Sequence, residues 1–310
     1  MPSWYIKAGI QGLMSFLPRS HALNYIFQRY VSRGLVLKDN YFEDKLKVVT
    51  IHLENYRKAT NKTLPQNVLE LGTGWLPIVP IALYLCGIEQ IYTIDKTGLT
   101  YPHLVKETLD HFITYAKDGR LSNHLPVKKN HLENLEHASD ALDRVSIAEA
   151  LQHLNITLLI TDARSLGLED NSIEFFVSNN TFEHIPLDVL SGIMQEFNRI
   201  STYDGINSHF IDLEDHYSQF DSSISSYNFL RYSDGIWRFF NNDLQYQNRL
   251  RVSDYREIHE RAGFQIIEET NKSASQTDIE QIQLAKRFES YAHEDVIVIK
   301  SFIVSQPKRS

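Results

Sequence analysis

The chain reads as an α/β protein built on an open, doubly wound sheet, and two features of its 310 residues carry that reading. Beyond Pro65, short apolar runs of strand length alternate with stretches of helical period. Strands alternating with helices imply βαβ units and a mainly parallel sheet covered on both faces. The first of those runs, Val68 to Leu71, also passes directly into Gly72-Thr73-Gly74 and then into a helical stretch. Glycine lets the backbone turn sharply there and lets a ligand approach it closely. With 42% hydrophobic and 23% charged residues, the composition excludes a disordered chain, a collagen-like fibre and a coiled-coil rod.

The elements follow in chain order. Residues 1–60 are expected to be helical and to form an N-terminal cap, because Ile26 and Tyr30, then Leu46, Val49, Leu53 and Tyr56, recur at helical spacing. Within that cap, residues 4–17 predict an amphipathic helix that packs on the domain, with Ile6, Ile10, Leu13 and Leu17 on one face. Transient membrane contact is the alternative, although Lys7 alone offers little attraction for anionic lipid. Strands are expected at 67–71, 90–94, 156–160, 173–178, 208–213, 264–269 and 296–304. Helices are expected at 76–85, 101–116, 138–154, 187–200 and 254–261, the last capped by Ser253 and stopped at Ala262-Gly263-Phe264. Residues 214–250 are aromatic and polar without a clean period, and interrupt the alternation. The expected organisation is therefore a cap at 1–60 and one domain at 61–310, with an inserted lid at about 214–250.

Charge and cysteine content narrow the function classes. One cysteine, Cys86, excludes an intrachain disulfide framework and a cysteine-cluster zinc site. The 31 basic and 39 acidic residues give a net charge of −8, the wrong sign for broad nucleic-acid binding, so no nucleic-acid partner is expected. No run approaches the roughly 20 apolar residues of a spanning helix, and Lys7 breaks up the N-terminal apolar residues where an export signal would need them continuous. A soluble cytoplasmic protein without stable membrane insertion is expected.

The glycine turn separates two chemistries. The nicotinamide fingerprint requires G-x-G-x-x-G, and Pro77 stands where its third glycine belongs. With Glu70 two residues before Gly72, the stretch Val68 to Pro77 instead resembles the first motif of the class I S-adenosylmethionine-dependent methyltransferases, although Leu76 occupies a position where that family commonly has a further glycine. Further matches stand at strand ends. The second strand ends in Asp95 and the third in Asp162-Ala163. The fourth runs through Ser178-Asn179-Asn180-Thr181-Phe182-Glu183-His184-Ile185-Pro186, and the junction at Ala262-Gly263-Phe264 is also typical of the family. Taken singly, such residues also read as caps and turns; the resemblance rests on four motifs in order. It covers 66–213 well and 252–304 loosely.

The resemblance implies a Rossmann-like, doubly wound sheet of seven strands, mostly parallel with an antiparallel last strand. It implies S-adenosylmethionine as methyl donor and S-adenosylhomocysteine as product. Glu70 would meet the donor's amino group, and Gly72, Thr73 and Gly74 would lie against its methionine portion. Asp95, with Lys96 beside it, would hold the ribose. Asp162 and Ala163 would read adenine, Asn179 and Asn180 would close the site at the fourth strand, and Phe182 would pack on adenine or line the donor's edge. The acceptor is expected to be a small molecule, anionic in one reading, such as a secondary metabolite or a glycan or lipid precursor, methylated on oxygen, with carbon and nitrogen as alternatives. An oxygen acceptor must lose a proton, which a neutral imidazole can take. His184 is the first candidate, with His209 and His216 as alternatives. The grouping of His209, Asp212, Asp215 and His216 has the composition of a divalent-metal site, but strand alternation sends His209 and Asp212 to opposite faces, so a metal is the less favoured reading beside a polar loop at the substrate mouth, and none is assigned. In the lid, Tyr227, Arg231, Tyr232, Trp237, Tyr246 and Arg249 are expected to bind the acceptor through aromatic walls and arginines suited to an anionic group. The alternative is an ordinary mini-core whose arginines pair with Asp221, Asp234 and Asp243. Rival readings of the whole chain are a donor-binding protein without catalysis and a nicotinamide oxidoreductase. Asn179-Asn180-Thr181-Phe182 stands where nucleic-acid methyltransferases carry an Asn/Asp-Pro-Pro-aromatic tetrad, a further argument against nucleic acid.

Overall fold

A computed structural model describes residues 4–18, 20–31 and 35–308. Seven strands, β1 (Asn67–Leu71), β2 (Gln90–Asp95), β3 (Ile156–Ile160), β4 (Ile173–Asn179), β5 (Ser201–Asp212), β6 (Phe264–Ser273) and β7 (Val298–Pro307), form one sheet in the order β3-β2-β1-β4-β5-β7-β6. The pairs β1–β2, β2–β3, β1–β4 and β4–β5 are parallel, and β7 runs antiparallel to both β5 and β6. Strand order reverses between β1 and β4, and ligands of open α/β sheets bind at the carboxyl ends beside such a switch point.

The helices are α1 (Trp4–Ser15), α2 (Ser20–Ile26), α3 (Asp39–Thr60), α4 (Ile78–Leu85), α5 (Pro102–Lys117), α6 (Lys129–Ala141), α7 (Ile147–Gln152), α8 (Leu187–Ile200), α9 (Asp234–Trp237), α10 (Val252–Arg261), α11 (Gln276–Glu280) and α12 (His293–Val296). Strand alternation divides the core. Val68, Phe175 and Val177 point toward α3, α4, α5, α6 and α7, whereas Leu69, Leu71 and Phe176 point toward α8 and α10. Phe42, Leu46, Val49, Leu53 and Tyr56 bury one stripe of α3 in the first layer, which makes α3 part of the sheet's helical covering.

Several expected elements differ in detail. Strand β5 starts at Ser201 rather than 208, because residues 202–205 bulge out: Ile173 pairs with Ser201, and Phe175 already pairs with Ile206. Gly205 suits that bulge, since a Cβ there would lie 2.1 Å from the Ser201 hydroxyl. The expected helix at 138–154 is two helices. Ser146 begins α7 with a reciprocal capping box to Glu149, which restarts the chain after α6.

The amphipathic stretch at 4–17 is helical over Trp4–Ser15 but presents the other face to the protein. Trp4, Ala8 and Gln11 are buried, while Ile6, Ile10, Leu13 and Leu17 are exposed. The small Ala8 permits close approach, and the Trp4 ring packs 4.8 Å from Phe240 and 5.4 Å from Tyr217. Trp4 and Ala8 join a third cluster with Tyr217, Tyr227, Phe229, Leu230 and Trp237 from the 214–250 segment. Ile279, Phe288 and Val296 from the β6–β7 connection complete it. The roof of the molecule is thus built from two connections and α1, not from the 214–250 insertion alone.

Candidate active site

The glycine turn begins where β1 ends. Gly72 and Gly74 take φ values of +95° and +65°, a region that strains any residue with a Cβ. Their surroundings differ. A Cβ on Gly72 would fall 2.3 Å from Thr181 Oγ1, whereas one on Gly74 would meet nothing within 4 Å. The loop after β4 therefore packs on Gly72, and open space lies before Gly74. At the end of β2, Asp95 accepts the Gly74 N–H at 3.0 Å and the Thr97 N–H at 3.1 Å. Burial raises its pKa, and those two donors hold it back.

Behind the turn, Glu70 is 2% exposed and accepts a 2.5 Å hydrogen bond from the Thr93 hydroxyl, which lies 2.6 Å from that of Thr73. Burial pushes the Glu70 carboxyl up to about 8. At the end of β3 the Asp162 side chain is engaged by Arg164, whose hydrogen bonds bring its pKa down to about 2, while Ala163 is buried beside it. Lys96 is exposed.

A second group of polar residues gathers where β4 and β5 end together. Asn179 accepts from Lys45 Nζ at 3.1 Å and keeps an unpartnered amide nitrogen. Asn180 is held in the left-handed region at φ +54°, its N–H bonded to the Phe210 carbonyl and its side-chain oxygen unpartnered. The chain then makes the short turn Phe182–His184. Glu183 is 2% exposed, and neither of its carboxylate oxygens makes a well-formed hydrogen bond. Burial, and after it the charge of Asp212, push its pKa well above the carboxylate range.

His184 Nδ1 lies 2.7 Å from the Tyr246 carbonyl oxygen. A carbonyl only accepts, so Nδ1 carries the proton and Nε2 keeps its lone pair. The His184 and His216 rings stand 4.9 Å apart, and His216 Nε2 is 3.9 Å from Asp212. Glu183, His184 and His216 each offer one ligand atom, all within 4.8 Å of one another.

Two of these residues lay outside the expected site. Glu183 stands in the fourth motif but carried no assigned role. Lys45 sits on the inward stripe of α3, three residues after Phe42 and four before Val49, where an isolated cation is the only signal the sequence offers. Its charge reaches Glu70 beneath the glycine turn and Glu183 and Asp212 where β4 and β5 end.

Other expected site residues lie elsewhere. His209 is wholly buried toward α8 and α10, with Nδ1 2.9 Å from the Ser178 hydroxyl and its ring 4.2 Å from that of Phe182. Phe182 is equally buried and lines no open space. Asp215 accepts from Asn228 inside the roof. Among the six lid residues, Tyr227 is buried and donates to the Ile297 carbonyl, and Trp237 is buried in the aromatic cluster. Arg249 donates to the Phe229 and Tyr232 carbonyls and pairs with Asp234. Arg231 is exposed and Tyr232 half-buried, whereas Tyr246 adjoins His184 through its carbonyl. The inward part of the segment is thus a self-packed roof rather than an arginine-lined pocket.

Comparison with known proteins adds a match over part of the chain. Residues 118–207 match the model of a family described as a methyltransferase domain; the matched stretch runs from the end of α5 through β3 and β4 into β5 and omits the glycine turn. No curated protein sequence matches the chain. Among solved structures, a Pyrococcus horikoshii protein is 12% identical over 93% of this chain and 99% of its own, with a TM-score of 0.50, and shares the fold. The phosphoethanolamine N-methyltransferase 2 of Haemonchus contortus, solved with S-adenosyl-L-methionine, is 12% identical over 92% of this chain and 59% of its own, with a TM-score of 0.47. The matched segment lies within a seven-stranded sheet closed by an antiparallel β7, the Rossmann-like fold of methyltransferases.

Proposed function

We propose that the protein transfers the methyl group of S-adenosylmethionine to an oxygen of a small-molecule acceptor. One observation carries this reading: the glycine turn, whose Gly74 N–H donates to Asp95 and faces open space, meets the β4 end, where Lys45 Nζ donates to Asn179. Thr181, packed on Gly72, holds the same two sides together.

In this reading Glu70 faces the donor's ammonium and Asp95 its ribose, Asp162 and Ala163 adjoin adenine, and the open space at Gly74 takes the methionine portion. Asn179 and Asn180, with their unpartnered amide atoms, close the site at β4. The sulfonium already activates the methyl group, so the protein's tasks are alignment at about 3 Å and exclusion of water by the roof. The carbon–sulfur bond breaks with its electron pair left on sulfur, and a carbon–oxygen bond forms. The acceptor's proton leaves on the side of His184 and His216, which we assign to activation of the hydroxyl.

Calorimetry with S-adenosylmethionine, S-adenosylhomocysteine and NAD tests the donor. Binding of the first two but not the third is expected; binding of NAD alone would restore the oxidoreductase reading. Donor carrying a labelled methyl group, incubated with extract fractions, should then yield a labelled product with an O–CH3 group. Donor binding with no labelled product in any fraction would leave a binding protein without catalysis.

A further inference from the structure

Resting on that reading, we propose that Glu183, His184 and His216 hold a divalent transition-metal ion on which the acceptor's hydroxyl docks. One carboxylate and two imidazoles form a donor set suited to zinc, manganese, iron(II) or cobalt. The fold assembles it from two neighbouring strand ends. Glu183 and His184 follow β4, His216 follows β5, and the pairing of Asn179 with Phe210 brings those ends side by side.

Two of the three groups have ligand atoms without a hydrogen-bond partner among the described residues. His184 has its tautomer set by the Tyr246 carbonyl, as metal-bound imidazoles have theirs set by an outer hydrogen bond. His216 Nε2 is buried without a hydrogen-bond partner. Glu183 buries a carboxyl with no well-formed hydrogen bond at either oxygen, an arrangement that is costly for an ionised group unless a cation faces it.

The ligand atoms now stand within 4.8 Å of one another. Bonds of about 2.1 Å to a common centre need separations of roughly 3 to 4 Å, so metal binding requires these side chains to rotate inward. Three protein ligands leave positions open, as in metal sites that take up substrate. A hydroxyl bound there loses its proton more readily. The proton passes to water at the exposed edge of His184, and the resulting oxyanion takes the methyl carbon while sulfur keeps the bonding pair.

The test uses the full chain, stripped with a chelator and titrated with Co2+ alone while visible absorption and metal content are recorded. Uptake of one equivalent with new d–d bands, displaced by Zn2+, is expected. Glu183→Gln and His216→Asn should each weaken that uptake about tenfold or more while still binding S-adenosylhomocysteine, which shows that they are folded. The surface variant His153→Ala should bind Co2+ as the parent does. Absence of stoichiometric uptake, or uptake unchanged in both folded site variants, would overturn the proposal. A chain that binds the donor but not Co2+ loses the metal and keeps the methyltransferase reading; one that binds Co2+ but not the donor does the reverse.

Discussion

Five histidines near the end of β5 divide into two sets. His52, His209 and His259 each place Nδ1 within 2.8 to 2.9 Å of a serine hydroxyl, those of Ser208, Ser178 and Ser305, and turn Nε2 into the packed interior. His184 and His216 face one another across 4.9 Å, with Glu183 alongside. All three members of the first set are fully buried, yet burial does not make them chemical groups. What distinguishes the second set is convergence: lone pairs and a carboxylate aimed at a shared space. The same contrast separates Gly72, whose space Thr181 fills, from Gly74, whose space is open.

The largest effect should come from exchanging one member of each set. His216→Ala should lower turnover about a hundredfold or more, on the scale of a lost acid–base or metal-activating group, with little change in melting temperature. His209→Ala should instead cost about 2–4 kcal/mol by opening a core cavity and orphaning Ser178, with turnover per folded molecule retained. Thermal unfolding alongside methyl-transfer assays decides; a stable but inactive His209→Ala would move that residue into the reaction.

The glycines give the next test. Gly72→Ala combines a positive φ with a collision at Thr181 and should destabilise the fold by about 2 kcal/mol, part of which Thr181→Ala should restore. Gly74→Ala should cost only about 1 kcal/mol in stability while weakening donor binding in calorimetry. Equal losses of binding and stability in both variants would erase the distinction between filled and open space.

These contrasts were unevenly legible. The glycine turn, the seven strands and α8 could be read because each rests on local rules: alternation, helical period and Gly in a sharp turn. The bulge at 202–205 hid the start of β5, since only its pairing against Ile173 and Phe175 makes it a strand. The sequence Ser208-His209-Phe210 cannot say which face of the sheet covers the functional edge, so His209 was grouped with His216. The 274–297 part of the roof uses helices of four or five residues, too short to display a period. Lys45 lies 25 residues before Glu70, and only the packing of α3 on the sheet brings its charge to the site.

Acid should expose the core set. Burial holds His52 at about 3 and His259 at about 4, below the 6.5 of an unfolded chain. Between those values the unfolded chain binds protons that the folded one does not, so their contribution is complete above pH 6.5 and is lost as pH falls toward 4 and below. Urea midpoints across pH 7 to 4 should fall, and His259→Gln should flatten part of that slope. An unchanged slope would mean that His259 is not held neutral by the core.

The smallest effect concerns Glu70, which belongs to the enclosed groups in the free protein and would join the converging ones when the donor arrives. Its folded pKa of about 8 lies above the unfolded 4.5. Its contribution to stability is therefore full below pH 4.5 and lost as pH rises through 8. At pH 7 the free protein holds this carboxyl mostly neutral. An ammonium placed beside it favours the ionised form, so donor binding should release close to one proton at pH 7 and almost none at pH 9. Calorimetry in two buffers of different ionisation enthalpy reads that proton directly. Glu70→Gln should abolish the release and weaken binding; release that persists in the variant would place the titrating group elsewhere and leave Glu70 as packing beneath the turn.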